Sequence, residues 1–396
     1  MCILILHAIL RVMQIAETFW LVLIVGSVGG LTIGYILYPL LLVLFLPKRA
    51  SLIPSGLTAS VTLIIPAWAE KDLEVKIDET QALDQIGIDL QVIVITDQAS
   101  PKNLPPNFTW IQETARRGKS ASINQAMKSV RTPLVVFSDA NTCLHPSSLV
   151  HLLAPFQDPR VGAVAGEKQV RLVRSTAAGE EVYWKYESVL KRMDASLYSV
   201  ISGAGELFAM RTLLFEDLPN DAVLDDLEMS WQVIRKDHRI AYAPAAIATE
   251  APSKNLKEEA KRKIRMAAGS YQFLSRHALS HFFGVSRVFG WQFIFRKWFR
   301  WVLAPVFLLI ILLSSVGLLL IDSPSSFSSQ LLFLEALFFT VALVGWMLIG
   351  LRIRIGWLTA PFYFLFMHGC QLRGWIRHVM GNQPVTWEKS ERSRMS

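Results

Sequence analysis

Three apolar runs in the middle of this 396-residue chain end in residues able to hold or move charge. Val61 to Pro66 leads into Ala67-Trp68-Ala69-Glu70, Leu90 to Thr96 into Asp97-Gln98-Ala99-Ser100, and Pro133 to Ser138 into Asp139-Ala140-Asn141-Thr142. Between the last two lies a basic turn, Arg116-Arg117-Gly118-Lys119, followed by Ser120-Ala121-Ser122-Ile123-Asn124. Further on come Ser202-Gly203-Ala204-Gly205-Glu206, where small residues let a ligand approach the backbone, and the acidic pair Asp225-Asp226. Mutual repulsion and partial burial of paired carboxylates raise one pKa toward neutral pH, as a general base requires. Arg265 brings a planar fork able to engage two oxygens of one anion.

Each motif by itself has a plainer explanation. Asp97 is a common turn former, Asp139-Ala140-Asn141 can cap a helix, and one of Asp225 and Asp226 can cap the helix that follows. Arg116 to Ser120 lacks the Walker spacing, which excludes a P-loop. Order and spacing together carry more weight than any single motif.

The elements that must position these residues follow from pattern. Val61–Pro66, Leu90–Thr96, Pro133–Ser138 and Val161–Ala165 read as buried strands. Helices are expected over Ser120–Val130, Ser147–Phe156, Gly179–Tyr198, Asp226–Lys236 and Leu256–Arg276. Strands alternating with helices predict an α/β domain with a largely parallel sheet, whose ligands bind beyond the carboxyl ends of the strands, where the polar residues above lie.

That domain is framed by apolar segments. Charged residues are 18% of the chain, below the roughly 25% of an average soluble protein, and Thr18 to Pro47 and Trp301 to Ile321 contain none. Both are long enough to cross a bilayer, as is Leu331 to Gly350 with one acid at Glu335; Ile355 to Leu372, shorter and interrupted by Pro361, is expected to be re-entrant or in-plane. The first run ends in Pro47-Lys48-Arg49 with no small-residue cleavage pattern, so it reads as a retained anchor. Basic residues at Lys48/Arg49, Arg296/Lys297/Arg300 and Arg352/Arg354 place the middle domain in the cytoplasm by the positive-inside rule.

The expected organisation is therefore an anchor over 1–50, a cytoplasmic domain over 51–279, an interfacial amphipathic helix over 280–300, membrane helices over 301–372 and a cytoplasmic tail over 373–396. The formal net charge of +8 gathers at the membrane boundaries, which points to anionic lipid and away from nucleic acid. Cys2, Cys143 and Cys370 are scattered and odd in number, so they form neither a disulfide framework nor a zinc site.

From about Tyr35 to Arg392 the motifs, in this order, resemble those of the membrane-bound members of glycosyltransferase family 2, which include cellulose, hyaluronan and poly-N-acetylglucosamine synthases. The resemblance implies a Rossmann-like A-type glycosyltransferase domain flanked by transmembrane helices, using a nucleotide-diphosphate sugar, UDP-linked by preference. It implies that Glu70 and Asp97 hold base and ribose, that Lys119 and Arg265 face the diphosphate, and that Asp139 and Asn141 stand at the family's Asp-x-Asp motif for magnesium or manganese. Asp226 takes the place of the general base of an inverting transfer, with Gly203, Gly205 and Asp225 toward the acceptor. Trp387-Glu388-Lys389-Ser390-Glu391-Arg392 resembles a tail that reaches the site from the cytoplasm.

Two positions depart from the family pattern. Met266 stands where processive synthases carry Trp, and Arg262 where they carry Gln, so processive polymerisation is less firmly implied. The acceptor implied is a growing polysaccharide, with a lipid or polyprenyl phosphate as the alternative; an export or modification partner protein and a bacterial inner-membrane location complete the expectation. A non-catalytic membrane scaffold would need none of Asp97, Asp139 and Asp226. At the metal motif, Asn141 offers a neutral oxygen instead of a carboxylate. A manganese titration is expected to show weak binding by the nucleotide-free protein and tighter binding with a nucleoside diphosphate. Tight binding without nucleotide would contradict this reading.

Overall fold

The computed structural model describes residues 2–45, 58–70, 73–83, 86–170, 178–321, 324–351, 353 and 355–384. The basic pairs Lys48/Arg49 and Arg352/Arg354 and the Trp387–Arg392 tail lie outside these residues. Among the described residues eight strands form one sheet: β1 (Ala59–Ala67), β2 (Ile88–Thr96), β3 (Phe108–Gln112), β4 (Leu134–Phe137), β5 (Thr142–Leu144), β6 (Val161–Val170), β7 (Phe208–Arg211) and β8 (Arg239–Glu250). Their order is β3-β2-β1-β4-β7-β6-β8-β5.

Strands β3, β2, β1 and β4 run parallel, but β7 enters antiparallel between β4 and β6, and β5 pairs antiparallel with β8. The sheet is thus mixed, where pattern predicted one largely parallel. The four-residue β7 is too short to stand out in the sequence, and β8, with Pro244 among alanines, lacks the β-branched run that marks a strand. The inversion of β7 matters to the site. Phe137 pairs with Phe208, so the loop before β7 lies at the same sheet edge as the residues that follow β1, β2 and β4.

Two helical layers cover the sheet. On β1, Val61, Leu63 and Ile65 face a core shared with α3 (Leu73–Gln81) and, beyond α4 (Lys119–Met127) in the chain, α5 (Ser148–Leu153). Ile64 of β1, with Ile93 and Ile95 of β2, faces the opposite core, built by α4, α7 (Asp225–Arg235) and the aromatic residues Phe273, Phe282, Phe289 and Phe293. Strict alternation of side chains accounts for the division, and burial on both faces for the unbroken apolar runs.

The helix α6 (Ala178–Leu197) crosses between β6 and β7, and α8 (Leu256–Arg276) follows β8. The bounds of α8 are those the apolar pattern predicts, and Asn255 caps it by accepting the Glu258 N–H at 3.0 Å.

The apolar segments form α1 (Cys2–Thr32), which widens into a π-helical turn at Ile33–Leu37 and continues as α2 (Tyr38–Phe45), and a C-terminal group. That group comprises α9 (Leu279–Val285), α10 (Arg287–Phe293), α11 (Ala304–Leu319), α12 (Ser326–Gly350) and α13 (Gly356–Val379). Among the described residues three helical stretches are long and apolar enough to cross a membrane: Arg11–Leu44, Arg287–Leu319 and Ser326–Gly350.

The expected interfacial segment 280–300 is divided. Its first part forms α9, and after the Ser286 cap α10 runs through a π-helical stretch, Ile294–Leu303, without a break into α11. Arg296 and Arg300, expected to face lipid headgroups, turn inward instead. Arg296 is paired with Glu187 at 3.0 Å and Asp194 at 2.5 Å, and Arg300 is paired with Glu187. Asp194 also accepts the hydroxyl of Tyr38 at 2.8 Å, so α2, α6 and the long helix meet at one buried carboxylate.

Helix α13 packs against α12, α6 and α8. Its contact with α8 leaves no room for a side chain at Gly374: a Cβ there would meet the Cβ of Ala267 at 2.3 Å and the backbone nitrogen of Ala268 at 2.8 Å. Gly369, on the same helix, has nothing within 4 Å of such an atom. Gly374→Ala is therefore expected to destabilise the detergent-solubilised protein by about 1–3 kcal/mol, the ordinary cost of overpacking, while Gly369→Ala does not. Thermal unfolding of the two variants side by side checks this; equal unfolding temperatures would mean that α13 is not held against α8.

Candidate active site

The carboxyl ends of β2, β1 and β4 lie side by side and supply Asp97, Glu70 and Asp139 in that spatial order. After β1 the chain turns sharply: Ala69 adopts a positive φ of 53°, and its N–H donates to Asp97 Oδ1 at 2.9 Å. Gln98 Nε2 donates to the carbonyl of Glu70, and the Trp110 indole N–H holds the carbonyl of Gln98 at 2.9 Å. The two loops expected to bind a nucleoside are therefore tied to each other.

Asp139, Ala140 and Asn141 form a tight turn closed by the Thr142 N–H on the Asp139 carbonyl at 3.2 Å. A lysine braces this turn from below. Lys76 of α3 is buried; its Nζ donates to the carbonyl of Thr142 and lies 3.4 Å from Ser138 Oγ, and burial lowers its pKa to about 8. Neither α3 nor this role was legible in the sequence, because the lysine reaches the turn only after the chain folds over the sheet.

At the next position along the edge, Gly118 adopts φ 96° and starts α4, a conformation that a residue with a Cβ avoids. Lys119 follows at once, and its Nζ lies 2.8 Å from Asp139 Oδ1 and 2.9 Å from Asp225 Oδ2. Burial alone would lower the pKa of Lys119, but Asp139 and Asp225 together hold it above its ordinary value, so it stays charged. A Cβ at Gly205 would lie 3.5 Å from Lys119 Nζ and 4.0 Å from Asp139 Oδ2, so its absence keeps open the space beside both groups.

Asp225 and Asp226 begin α7, where unpaired N–H groups and the helix dipole favour negative charge. Asp225 is buried against Lys119, while Asp226 is half-buried. Burial and then the like charge of Asp225 push Asp226 up to about 6, against the pull of Lys119 and Lys297. The first turn of α7 is tied to the loop before β7. Ser230 Oγ accepts the Gly203 N–H at 2.8 Å and donates to the Asp226 carbonyl at 2.6 Å. Gln272 of α8 accepts the Val223 N–H at 3.1 Å and donates to the Asp221 carbonyl at 2.9 Å, clamping the loop that delivers the acids.

From α8, Arg265 joins the cluster, its charge acted on by Asp225, Asp139 and Asp226. The structure thus brings Lys119, Asp139, Gly205, Asp225, Asp226 and Arg265 to one place, with Gly203 behind them and Glu70 and Asp97 along the same edge. Glu206 turns away from this group. It pairs with Lys168, which also pairs with Glu250 at 2.6 Å; although burial opposes the charge, Lys168 and Arg262 hold Glu206 well below the ordinary carboxylate range.

Among the described residues no group of three or more His, Cys, Asp or Glu side chains converges to cage a metal. The oxygen donors of Asp139 and Asn141 in one turn, with Asp139 about a quarter exposed beside the gap at Gly205, fit a hard divalent cation shared with an anionic ligand's oxygens.

A family model described as Glycosyltransferase like family 2 matches residues 59–269. The poly-beta-1,6-N-acetyl-D-glucosamine synthase of Staphylococcus aureus (strain COL) is 25% identical over 205 residues, 48% of this chain and 50% of its own length. Its counterpart in Staphylococcus epidermidis is 25% identical over 203 residues, 47% of this chain and 48% of its own. The chain spans about half the length of the curated relatives it matches. Among solved structures, the mannosyltransferase PcManGT from Pyrobaculum calidifontis, in complex with GDP-Man and Mn2+, aligns with a TM-score of 0.69 at 19% identity, over 92% of this chain and 99% of that one. At that identity the likeness is one of fold.

Proposed function

The chain belongs to glycosyltransferase-like family 2, and from that premise we propose that it is an integral membrane, inverting glycosyltransferase that moves a sugar from a nucleotide-diphosphate sugar to an acceptor hydroxyl. The observation that carries this reading is Lys119 held between Asp139 and Asp225, with Asp226 next to them at the start of α7. A donor phosphate site and a proton acceptor thereby share one edge of the sheet.

In this mechanism Glu70 and Asp97 hold the nucleoside, and Lys119 and Arg265 face the diphosphate. Asp139 and Asn141 would hold magnesium or manganese jointly with that diphosphate, a cation that would supply charge neutralisation for the leaving group. Gly205 leaves room for the acceptor, whereas the space beside Gly203, expected from the sequence to face the acceptor, is filled by the Phe208 ring, and Asp225 keeps the pKa of its neighbour high. The Asp226 carboxylate takes the proton of the acceptor hydroxyl, whose oxygen bonds to the anomeric carbon from the side opposite the departing diphosphate, which inverts the configuration.

Homology to a polysaccharide synthase and the three membrane-length helices support action at a membrane. The positive-inside pattern supports a cytoplasmic catalytic domain.

Nucleoside diphosphate release by the purified full chain, across UDP- and GDP-sugars with manganese or magnesium, is expected with one donor and lost by at least a hundredfold in Asp226→Asn. Release that persists in the variant would remove Asp226 from the chemistry. Because the base must be deprotonated, the rate is expected to fall as pH drops through about 6. In Asp225→Asn the acidic limb should move to lower pH, since a like charge is gone; an unmoved limb would show that Asp225 does not tune the base.

A further inference from the structure

Between the base and the membrane lies a second cationic cluster to which the reaction above assigns no role. Most of its members are matched to acids: Lys168 to Glu206 and Glu250, Arg262 and Lys263 to Glu259, Arg296 to Glu187 and Asp194, and Arg300 to Glu187. Two are not. Among the described residues Lys191 and Lys297 have no carboxylate within 4 Å. Lys191 is only 8% exposed, lies 6.0 Å from the Trp184 ring centroid, and burial lowers its pKa although Glu206, Glu167 and Glu187 pull the other way. Lys297 lies 5.5 Å from the Trp301 ring centroid, and its charge acts on Asp226. Lys191 is buried and Lys297 half-buried, and an ammonium drawn partly out of water with no carboxylate beside it is costly, so this pair is suited to meet an anion.

The surroundings say what kind. Lys297 sits on the helix that continues into the membrane as α11. From Trp184, beside Lys191, a ladder of rings leads outward: Tyr183 at 5.5 Å, Tyr363 of α13 at 6.1 Å, then Phe366 at 5.8 Å. Phe366 lines an apolar groove of about 440 Å³ between α12 and α13, with Phe339, Leu343, Trp346 and Phe362. An anion site at one end and an apolar groove at the other match a phosphate joined to a hydrocarbon chain.

We propose that Lys191 and Lys297 bind the phosphate of a lipid acceptor, whose nearby headgroup hydroxyl is thereby presented to Asp226. This rests on the transferase reading above and names its acceptor class: a lipid that carries a phosphate ester and a free hydroxyl in its headgroup. The hydroxyl proton passes to Asp226, the hydroxyl oxygen bonds to the anomeric carbon, and the bond from that carbon to the diphosphate oxygen breaks with its electron pair leaving on the nucleoside diphosphate. Phosphatidylglycerol and a polyprenyl-diphosphate sugar both satisfy this chemistry.

The test is lipid retention by the detergent-purified full chain, read by native mass spectrometry, with phosphatidylglycerol, a polyprenyl-diphosphate sugar and phosphatidylcholine as separate arms. One phosphate lipid with a headgroup hydroxyl should be retained at least tenfold over phosphatidylcholine, and the arm that binds identifies the source. Lys191→Gln/Lys297→Gln should lose that retention at least tenfold with UDP and GDP binding unchanged, and Lys297→Arg should keep it. The lipid-free unfolding temperature should rise in Lys191→Gln, because an unmatched buried charge is gone; a fall would mark the lysine as structural and overturn the proposal. Equal retention of all three lipids, retention unchanged in the double variant, or loss of nucleotide binding with it, which would give the lysines to the donor diphosphate, would each overturn it too. Retention needs no turnover, so lipid bound without diphosphate release would sink the transferase reading alone, and release without lipid preference would sink this one alone.

Discussion

Asp139 follows a central strand and Asp225 opens a helix more than eighty residues later, and two carboxylates at one sheet edge repel each other in the low dielectric of a half-buried site. Lys119 makes their approach tolerable by standing between them at 2.8 and 2.9 Å. Much of the local structure follows from that requirement. Gly118 turns the chain with a positive φ so that α4 begins at the lysine, and a Cβ at residue 205 would stand in ordinary contact with the ammonium, in the space that Gly205 leaves open. Asp226, one residue beyond the paired acid, lies within the field of Asp225 without sharing its short contact to the lysine, and burial with that like charge raises its pKa.

The same logic governs the join between the catalytic domain and the apolar helices. Asp194 accepts from Tyr38, Gln292 and Arg296, and Glu187 from Arg296 and Arg300. Burying these charges is costly, and removing one partner from such an arrangement costs about 3–5 kcal/mol, so the network fixes how α2, α6 and the long Arg287–Leu319 helix meet. On the other side of the domain α8 touches α13 through Gly374, Ala267 and Ala268, and clamps the acidic loop through Gln272. A single helix therefore links the membrane-side packing to the residues that carry charge at the site.

Fold class was readable because it depends on local pattern. The buried runs of β1, β2 and β4 are apolar whichever neighbours they acquire, and α8 shows both its amphipathic period and its Asn255 cap in the sequence. The polar residues at the strand ends were readable for a related reason: in a sheet of this kind the carboxyl edge is the only place such residues face a ligand. By contrast β7 and β8 have no local signal, since one has four residues and the other sets Pro244 among five alanines, and both are strands only because the sheet provides partners. Arg296 and Arg300 looked like headgroup contacts because charge beside an apolar run carries no information about which acid, if any, lies across the interface.

What the sequence determined by itself, then, was the inventory: an α/β domain between apolar helices, with Glu70, Asp97, Lys119, Asp139, Asp226 and Arg265 in an order that resembles the motifs of glycosyltransferase family 2. Only the tertiary structure decided the pairings: Lys119 with both Asp139 and Asp225, Lys76 beneath the Asp139 turn, Ser230 between Gly203 and Asp226, and, among the described residues, Lys191 and Lys297 with no carboxylate within 4 Å. The physical reason is range. Periodicity and turn chemistry act over a few residues and are written in the chain, whereas electrostatic partnership acts across space and depends on which residues burial brings within a few ångströms.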